Sequence, residues 1–200
     1  MCGIVGYVGS REATPVLLEG LKRLEYRGYD SAGVALLNSK GVSVVKQPGK
    51  VRELEEVIKV SPISATCGIA HTRWATHGPP NQLNAHPQTS TDGTIALVHN
   101  GIIENANVIR GQLQDEGYAF VSETDTEVVV KLIDLLWRKD TLLEDAVTAA
   151  LRRVEGTYGI AVVSSRDSDK IVVAQNGSPL LIGVSEEGEV LCGSDAAAVI

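Results

Sequence analysis

Cys2-Gly3-Ile4-Val5-Gly6, directly behind Met1, is the stretch from which the rest of this 200-residue chain is read. Removal of the start methionine would leave Cys2 with a thiol and a free α-amine on one residue. The amine titrates at about 7.7–8.0 and the thiol at about 8.5, so one can take the other's proton near neutral pH. One residue then supplies nucleophile and base, as an N-terminal threonine does with its own amine. Ile4 to Val8 reads as a strand that would hold Cys2 rigidly, and Gly3 and Gly6 would leave room for a ligand to approach the backbone. The plainer reading, a small apolar residue at a frayed terminus, is favoured by position alone. The other blocks of the chain have to decide.

Working outward, Thr14-Pro15 opens a helix with Leu17, Leu21 and Leu24 at helical spacing, closed by Gly28. Gly33 to Leu37 and Val42 to Lys46 form a hairpin around Asn38-Ser39-Lys40-Gly41. Val51 to Val60 is a helix stopped before Pro62. Thr66 to Ala70 is a strand, and Arg73 to Gly93 is a long loop of the kind that usually carries function. Ile95 to Val98 is a strand ending at His99-Asn100-Gly101, and Ala106 to Glu116 a helix closed by Gly117. Ser122 to Glu127 starts a helix whose apolar body runs from Val128 to Trp137. Leu142, Ala146, Ala150 and Val154 mark another. Tyr158 to Val163, Lys170 to Ala174, Leu180 to Val184 and Glu189 to Cys192 are strands joined by turns, and a new helix starts near Ser194-Asp195. Strands at both ends with helices between predict an α+β fold of two packed antiparallel sheets covered by helices.

Composition narrows the function classes. An apolar fraction of 44% suits a globular core. The formal net charge of −7, with no run of Lys and Arg, argues against a nucleic-acid partner. No segment approaches the length of a membrane span, and no basic region precedes the short apolar start, as a signal peptide requires. Three widely spaced cysteines, Cys2, Cys67 and Cys192, fit a reducing cytoplasm better than a disulfide framework. Cys67 and Cys192 sit in strand-like runs and read as buried structural residues.

Four further blocks carry chemistry. Tyr26-Arg27-Gly28-Tyr29-Asp30-Ser31-Ala32-Gly33 alone reads as a helix end and a turn. His71-Thr72-Arg73-Trp74-Ala75-Thr76-His77-Gly78 places a guanidinium, an indole, hydroxyls and two imidazoles behind a buried strand. Arg binds a carboxylate through two parallel hydrogen bonds, and Gly78-Pro79-Pro80 would let the following loop move as a lid. His71, His77, His86 and His99 lack metal-ligand spacing, so no metal is expected. His99-Asn100-Gly101 offers a side-chain and a backbone N–H side by side, a plausible oxyanion hole, but Asn-Gly is also the strongest short turn signal. Thr124-Asp125-Thr126-Glu127 is either a capping box with dipole-favoured acids or a site where a carboxylate meets a substrate ammonium.

In this order and spacing, the five blocks resemble the class II glutamine amidotransferase (glutaminase) domain, and the resemblance covers essentially all of the chain. Within the class the match is close to the branch that passes ammonia to fructose 6-phosphate. The resemblance implies a four-layer αββα sandwich and hydrolysis of L-glutamine without a cofactor. It implies Cys2 as nucleophile, Asn100 and Gly101 as oxyanion hole, Arg73 on the glutamine α-carboxylate and Asp125 on its α-ammonium. Trp74, Thr76 and His77 match the loop that closes over glutamine, and Arg27 a residue near the nucleophile. Fructose 6-phosphate would be met only by a separate sugar isomerase part, absent here, so residues 1–200 are expected to be a glutaminase domain truncated at its C-terminal end. A homo-oligomer of the full-length enzyme is compatible with the resemblance; the residues themselves specify no oligomeric state. Two other readings stay open: a glutamine-binding module inactive in this form, and an ammonia donor for another acceptor such as phosphoribosyl pyrophosphate.

Overall fold

The apolar run after Cys2 becomes β1 (Gly3–Val8), an inner strand with cores on both faces. Alternate side chains of a strand point to opposite faces. Val5 and Tyr7 accordingly enter the core under the helices, and Ile4 and Val8 the core between the two sheets. The computed structural model describes residues 2–74, 78–138 and 140–199. β1 pairs antiparallel with β4 (Cys67–Arg73) on one side and β10 (Val190–Gly193) on the other. With β2 (Ser31–Asn38), β3 (Gly41–Pro48) and β9 (Leu181–Val184), they form a six-stranded sheet in the order β3-β2-β4-β1-β10-β9. The second sheet runs β5 (Gln88–Thr89), β6 (Ile95–Ile103), β7 (Gly156–Ser164), β8 (Val172–Asn176).

Helices cover both outer faces, as the amphipathic spacing requires. Leu17, Leu21 and Leu24 of α1 (Ala13–Leu24) and Leu54 and Ile58 of α2 (Val51–Val60) pack with Val5, Val34 and Leu36 of the first sheet. On the second sheet, α3 (Ala106–Asp115), α4 (Asp125–Leu136) and α5 (Leu143–Leu151) bury Ile109, Val129, Ile133 and Val147 against Leu97, Ile160 and Val162. Ile69 and Leu37 meet Val98 and Ala161 between the sheets. The result is the expected α+β arrangement of helices, sheet, sheet, helices. Among the described residues, no helix is long and apolar enough to cross a membrane. Cys67 and Cys192 are buried and free, and burial pushes both thiols up to about 12.

Several local readings are corrected by the sheets. β4 extends beyond Ala70 and takes His71, Thr72 and Arg73 into the ladder, so the long loop starts later, and it contains the short β5. β6 does not end at His99-Asn100-Gly101 but continues to Ile103, paired residue by residue with β7. The turn preference of Asn-Gly is outweighed by that ladder. α4 begins only at Asp125. The helix expected from Ser194-Asp195 is a single 3-10 turn over Ala196–Ala198, capped by Asp195. The four C-terminal strands split between the sheets: β7 and β8 close one, β9 and β10 the other. Gly3 and Gly6 make room for protein, not ligand. A Cβ would lie 2.6 Å from Thr72 Oγ1 at Gly3 and 2.5 Å from Cys192 Sγ at Gly6.

Candidate active site

One end of the sandwich opens into a cleft of about 470 Å³ where β1, β4 and β6 present their ends. Its walls include Cys2, Arg27, Arg73, Trp74, Asn100, Gly101 and Asp125, so residues from five separate blocks meet there. Thr76 and His77 lie outside the described residues.

Cys2 is held by its neighbour strand's exit. The backbone N–H of Trp74 donates to Cys2 Sγ at 3.1 Å, and the thiol lies 3.5 Å from Trp74 O. Burial pushes the Cys2 thiol above its ordinary range, against the pull of the Trp74 N–H and of Arg73. At rest the sulfur therefore keeps its proton, and attack on an electrophile needs a base. Trp74 is 54% exposed at the rim, where a side chain on Gly28 would collide with its ring.

Asn100 sits inside β6, facing Cys2 across the gap between the sheets. Its Nδ2 donates to the Cys2 carbonyl at 3.2 Å, which leaves its second amide proton for another acceptor. Gly101 has φ +127°, and a Cβ there would lie 2.1 Å from Thr157 O, so no other residue fits.

Two opposite charges line the same cleft. Arg73 ends β4, is 3% exposed, donates to Gly78 O at 3.3 Å and Pro79 O at 3.5 Å, and lies 3.9 Å from Asp30 Oδ1. Asp125 opens α4, where the helix dipole favours an anion. Its Oδ2 accepts the Ile103 N–H at 2.9 Å, and Oδ1 is 3.8 Å from His99 Nδ1. The two readings of Thr124-Asp125-Thr126-Glu127 divide between residues. Thr124 caps the helix by accepting the Glu127 N–H, and Glu127 reaches back to the Ser122 and Val121 N–H groups. Asp125 faces the cleft. Arg27 also lines it and ties the C-terminal turn to its wall, donating to Ser194 O at 3.1 Å.

Behind these residues lies a buried layer of imidazoles. His71 Nε2 is 3.0 Å from His99 O and 2.9 Å from Asn100 Oδ1. His86 stacks on His71 with ring centroids 4.4 Å apart and reaches Thr126 Oγ1 at 2.6 Å; His99 Nδ1 reaches the same hydroxyl at 3.2 Å. Burial pulls His71 down to about 3 and His86 well below its ordinary value, so both are neutral at physiological pH. Among the described residues, no group of three or more His, Cys, Asp or Glu is placed to hold a metal ion.

A thiol, an amide donor, a cation and an anion around one cleft suit attack on the amide of a zwitterionic substrate. Comparison with known proteins agrees with that chemistry. The glutamine amidotransferase domain family model matches residues 71–200. The chain belongs to the glutamine amidotransferase domain family. It is 58% identical over 205 residues to the glutamine–fructose-6-phosphate aminotransferase (isomerizing) of Chlorobaculum tepidum, covering 100% of this chain and 33% of that protein. With the Clostridium acetobutylicum protein of the same name it shares 50% over 200 residues, covering 100% and 32%. The chain thus spans about a third of the length of these relatives. Among solved structures, the glutamine phosphoribosylpyrophosphate amidotransferase of B. subtilis superposes with TM-score 0.83 at 27% identity, over 98% of this chain and 42% of that one. A class-II glutamine aminotransferase domain protein from Silicibacter pomeroyi, at 16% identity and TM-score 0.65, shares the fold. The two sheets with outer helices are the N-terminal nucleophile type of amidotransferase fold.

No local pattern in the sequence marks the layer behind the cleft as part of the site. His71 and His99 fall inside blocks read for their chemistry but receive no role of their own, His86 is considered only as a poor metal ligand, and Thr126 only as part of a helix start. Thr157, Ser178 and Pro179 complete the walls from β7 and the loop after β8, and nothing local marks them. The one available signal is three histidines placed in otherwise apolar strands or beside Pro87, where a buried imidazole needs a partner.

Proposed function

We propose that this chain hydrolyses L-glutamine to glutamate and ammonia through a Cys2 thioester. The observation that carries the reading is that Cys2, Asn100, Arg73 and Asp125, distant in sequence, line one cleft. With Met1 removed, the α-amine of Cys2 takes the thiol proton. The thiolate attacks the side-chain amide, and the C=O bond opens to an oxyanion that accepts N–H bonds from Asn100 and Gly101. Collapse breaks the C–N bond, and the amine's proton goes to the departing nitrogen, which leaves as ammonia. Water, deprotonated by the same amine, then cleaves the thioester and frees the thiol. Arg73 holds the substrate α-carboxylate and Asp125 the α-ammonium, which points the amide at Cys2. Trp74 lines the cleft, Thr76 and His77 are assigned with it to closing over bound glutamine by family resemblance alone, and Arg27 supports the wall near the nucleophile.

Kinship supports one acceptor over the other. Identity of 50–58% to glutamine–fructose-6-phosphate aminotransferases, against 27% to the phosphoribosylpyrophosphate enzyme, favours fructose 6-phosphate as the ammonia acceptor in the full-length protein. That step belongs to a sugar isomerase part outside these residues. The test is glutamate release by chain whose N-terminus has been verified by intact mass. Chain starting at Cys2 is expected to turn over glutamine, and chain retaining Met1 to be nearly inert, because an amide nitrogen cannot act as base. Equal rates would refute the amine's role, and no turnover in either form would favour a silent glutamine-binding module.

A further inference from the structure

His71 belongs to no role assigned above, yet its ring decides which way Asn100 faces. Its Nε2 lies 3.0 Å from His99 O. A carbonyl only accepts, so Nε2 must carry the imidazole proton. The same nitrogen is 2.9 Å from Asn100, and a nitrogen already bearing its proton offers no lone pair to an N–H. Asn100 must therefore turn its Oδ1 to His71, which sends Nδ2 to the opposite side, 3.2 Å from Cys2 O. We propose that His71 is the positioning residue for Asn100, a single Nε2–H shared between His99 O and Asn100 Oδ1 that keeps the amide donor aimed at the Cys2 side of the cleft. The inference rests on the oxyanion role proposed for Asn100.

The surroundings hold the ring in this state. His71 and its neighbour His99 are almost fully buried, at 0% and 4% exposure, and the His71 ring is fixed by its stack on His86. His71 Nδ1 is buried and has no hydrogen-bond partner among the described residues, so nothing there draws the proton to that nitrogen. A second proton would make a buried cation close to Arg73, which burial disfavours. Register explains the placement: His71 pairs with Ile4 and Gly33 in the first sheet, and its side chain crosses to β6 in the second. A flipped Asn100 would place two N–H groups against each other and point Oδ1 at the developing oxyanion.

The experiment compares His71→Leu, His71→Gln, Asn100→Ala and the double variant His71→Leu/Asn100→Ala on glutamine hydrolysis. His71→Leu is expected to lower kcat about 10–100-fold, less than loss of the donor itself, with KM little changed. His71→Gln, whose amide N–H can occupy the place of Nε2–H, should recover most of that loss. Removing His71 from the Asn100→Ala background should cost nothing further, since the residue it positions is gone. NMR of the His71 ring should report the neutral Nε2–H tautomer from pH 5 to 8. An effect confined to KM, additive losses in the double variant, or an Nδ1–H tautomer would overturn the proposal. Wild-type kcat in His71→Leu, with Asn100→Ala impaired, overturns it alone. Wild-type kcat in Asn100→Ala removes the oxyanion reading and this inference with it. If His71→Leu does not fold, His71→Gln and the tautomer still decide.

Discussion

β1 carries a polar cluster at each end, and the two are built differently. At the far end, Tyr7 OH donates to Glu189 at 2.6 Å, Arg11 closes on the same carboxylate from Nε and Nη2, and Ser10 Oγ adds a contact at 3.3 Å. Tyr7 and Glu189 are buried, and the Arg11 and Tyr7 hydrogen bonds hold the Glu189 carboxyl down at about 2. The set is closed on itself. At the near end, Cys2, Asn100, Arg73 and Asp125 also touch protein groups, but they line a cleft, and the buried Nδ1 atoms of His71 and His86 find no partner among the described residues. A buried polar group left without a partner costs stability, so such groups persist where they serve something else. Satisfied polarity at one end of a strand holds the sheet together. Polarity kept open at the other end is where a substrate fits.

The comparison is broken most severely by changing the nucleophile. Cys2→Ala should abolish glutamine hydrolysis and leave the melting temperature close to wild type, because among the described residues the thiol's hydrogen bonds are to the Trp74 backbone alone. Residual ammonia release in that variant, measured with a coupled glutamate assay, would sink the nucleophile assignment. Asn100→Ala should lower kcat by about 10²–10³, since an oxyanion donor acts mainly in the transition state. A change found only in KM would make Asn100 a ground-state contact.

Asp125→Asn comes next. Asn keeps an oxygen for the Ile103 N–H and remains acceptable in the first turn of α4, so stability should hold. What goes is the negative charge opposite a substrate ammonium, worth about 2 kcal/mol or more in a desolvated pair. KM for glutamine should rise, while glutarate monoamide, which lacks the α-amine, should discriminate poorly between variant and wild type. An unchanged KM with unchanged melting temperature would return Asp125 to helix capping alone.

The smallest effect on activity belongs to the closed end. Glu189→Gln should leave glutamine hydrolysis untouched and alter stability only. The folded pKa lies at about 2, below the unfolded value of about 4.3, so the carboxylate's contribution is present above pH 4.3 and is lost as pH falls towards 2. The variant should be less stable at pH 7 and lack that part of the acid transition. Parallel loss of melting temperature in both proteins across this window would show that the Arg11–Glu189 pair does not stabilise the fold.

Legibility differed between scaffold and site. The leucines of α1, the apolar run of β1 and the Thr124–Glu127 cap are short-range patterns, and each becomes the element expected because its partners lie within a turn or a pleat. The cleft residues are identified in the sequence by resemblance of whole blocks in their order and spacing, not by any local period; His86 and Thr126 sit far apart in the chain, and no period links them.

Most helices and strands, their apolar faces and a thiol at the start of a buried strand are legible in the sequence alone, because each depends on neighbouring residues. That Asn100-Gly101 is strand and not turn depends on long-range pairing, because nine paired positions between β6 and β7 outweigh a two-residue preference. The tertiary structure also decided that Gly3 and Gly6 serve packing, since the atoms they admit come from β4 and β10. The orientation of the Asn100 amide has the same origin: the His71 ring that sets it arrives from another sheet, and hydrogen bonds across that gap exist only once both sheets are in place.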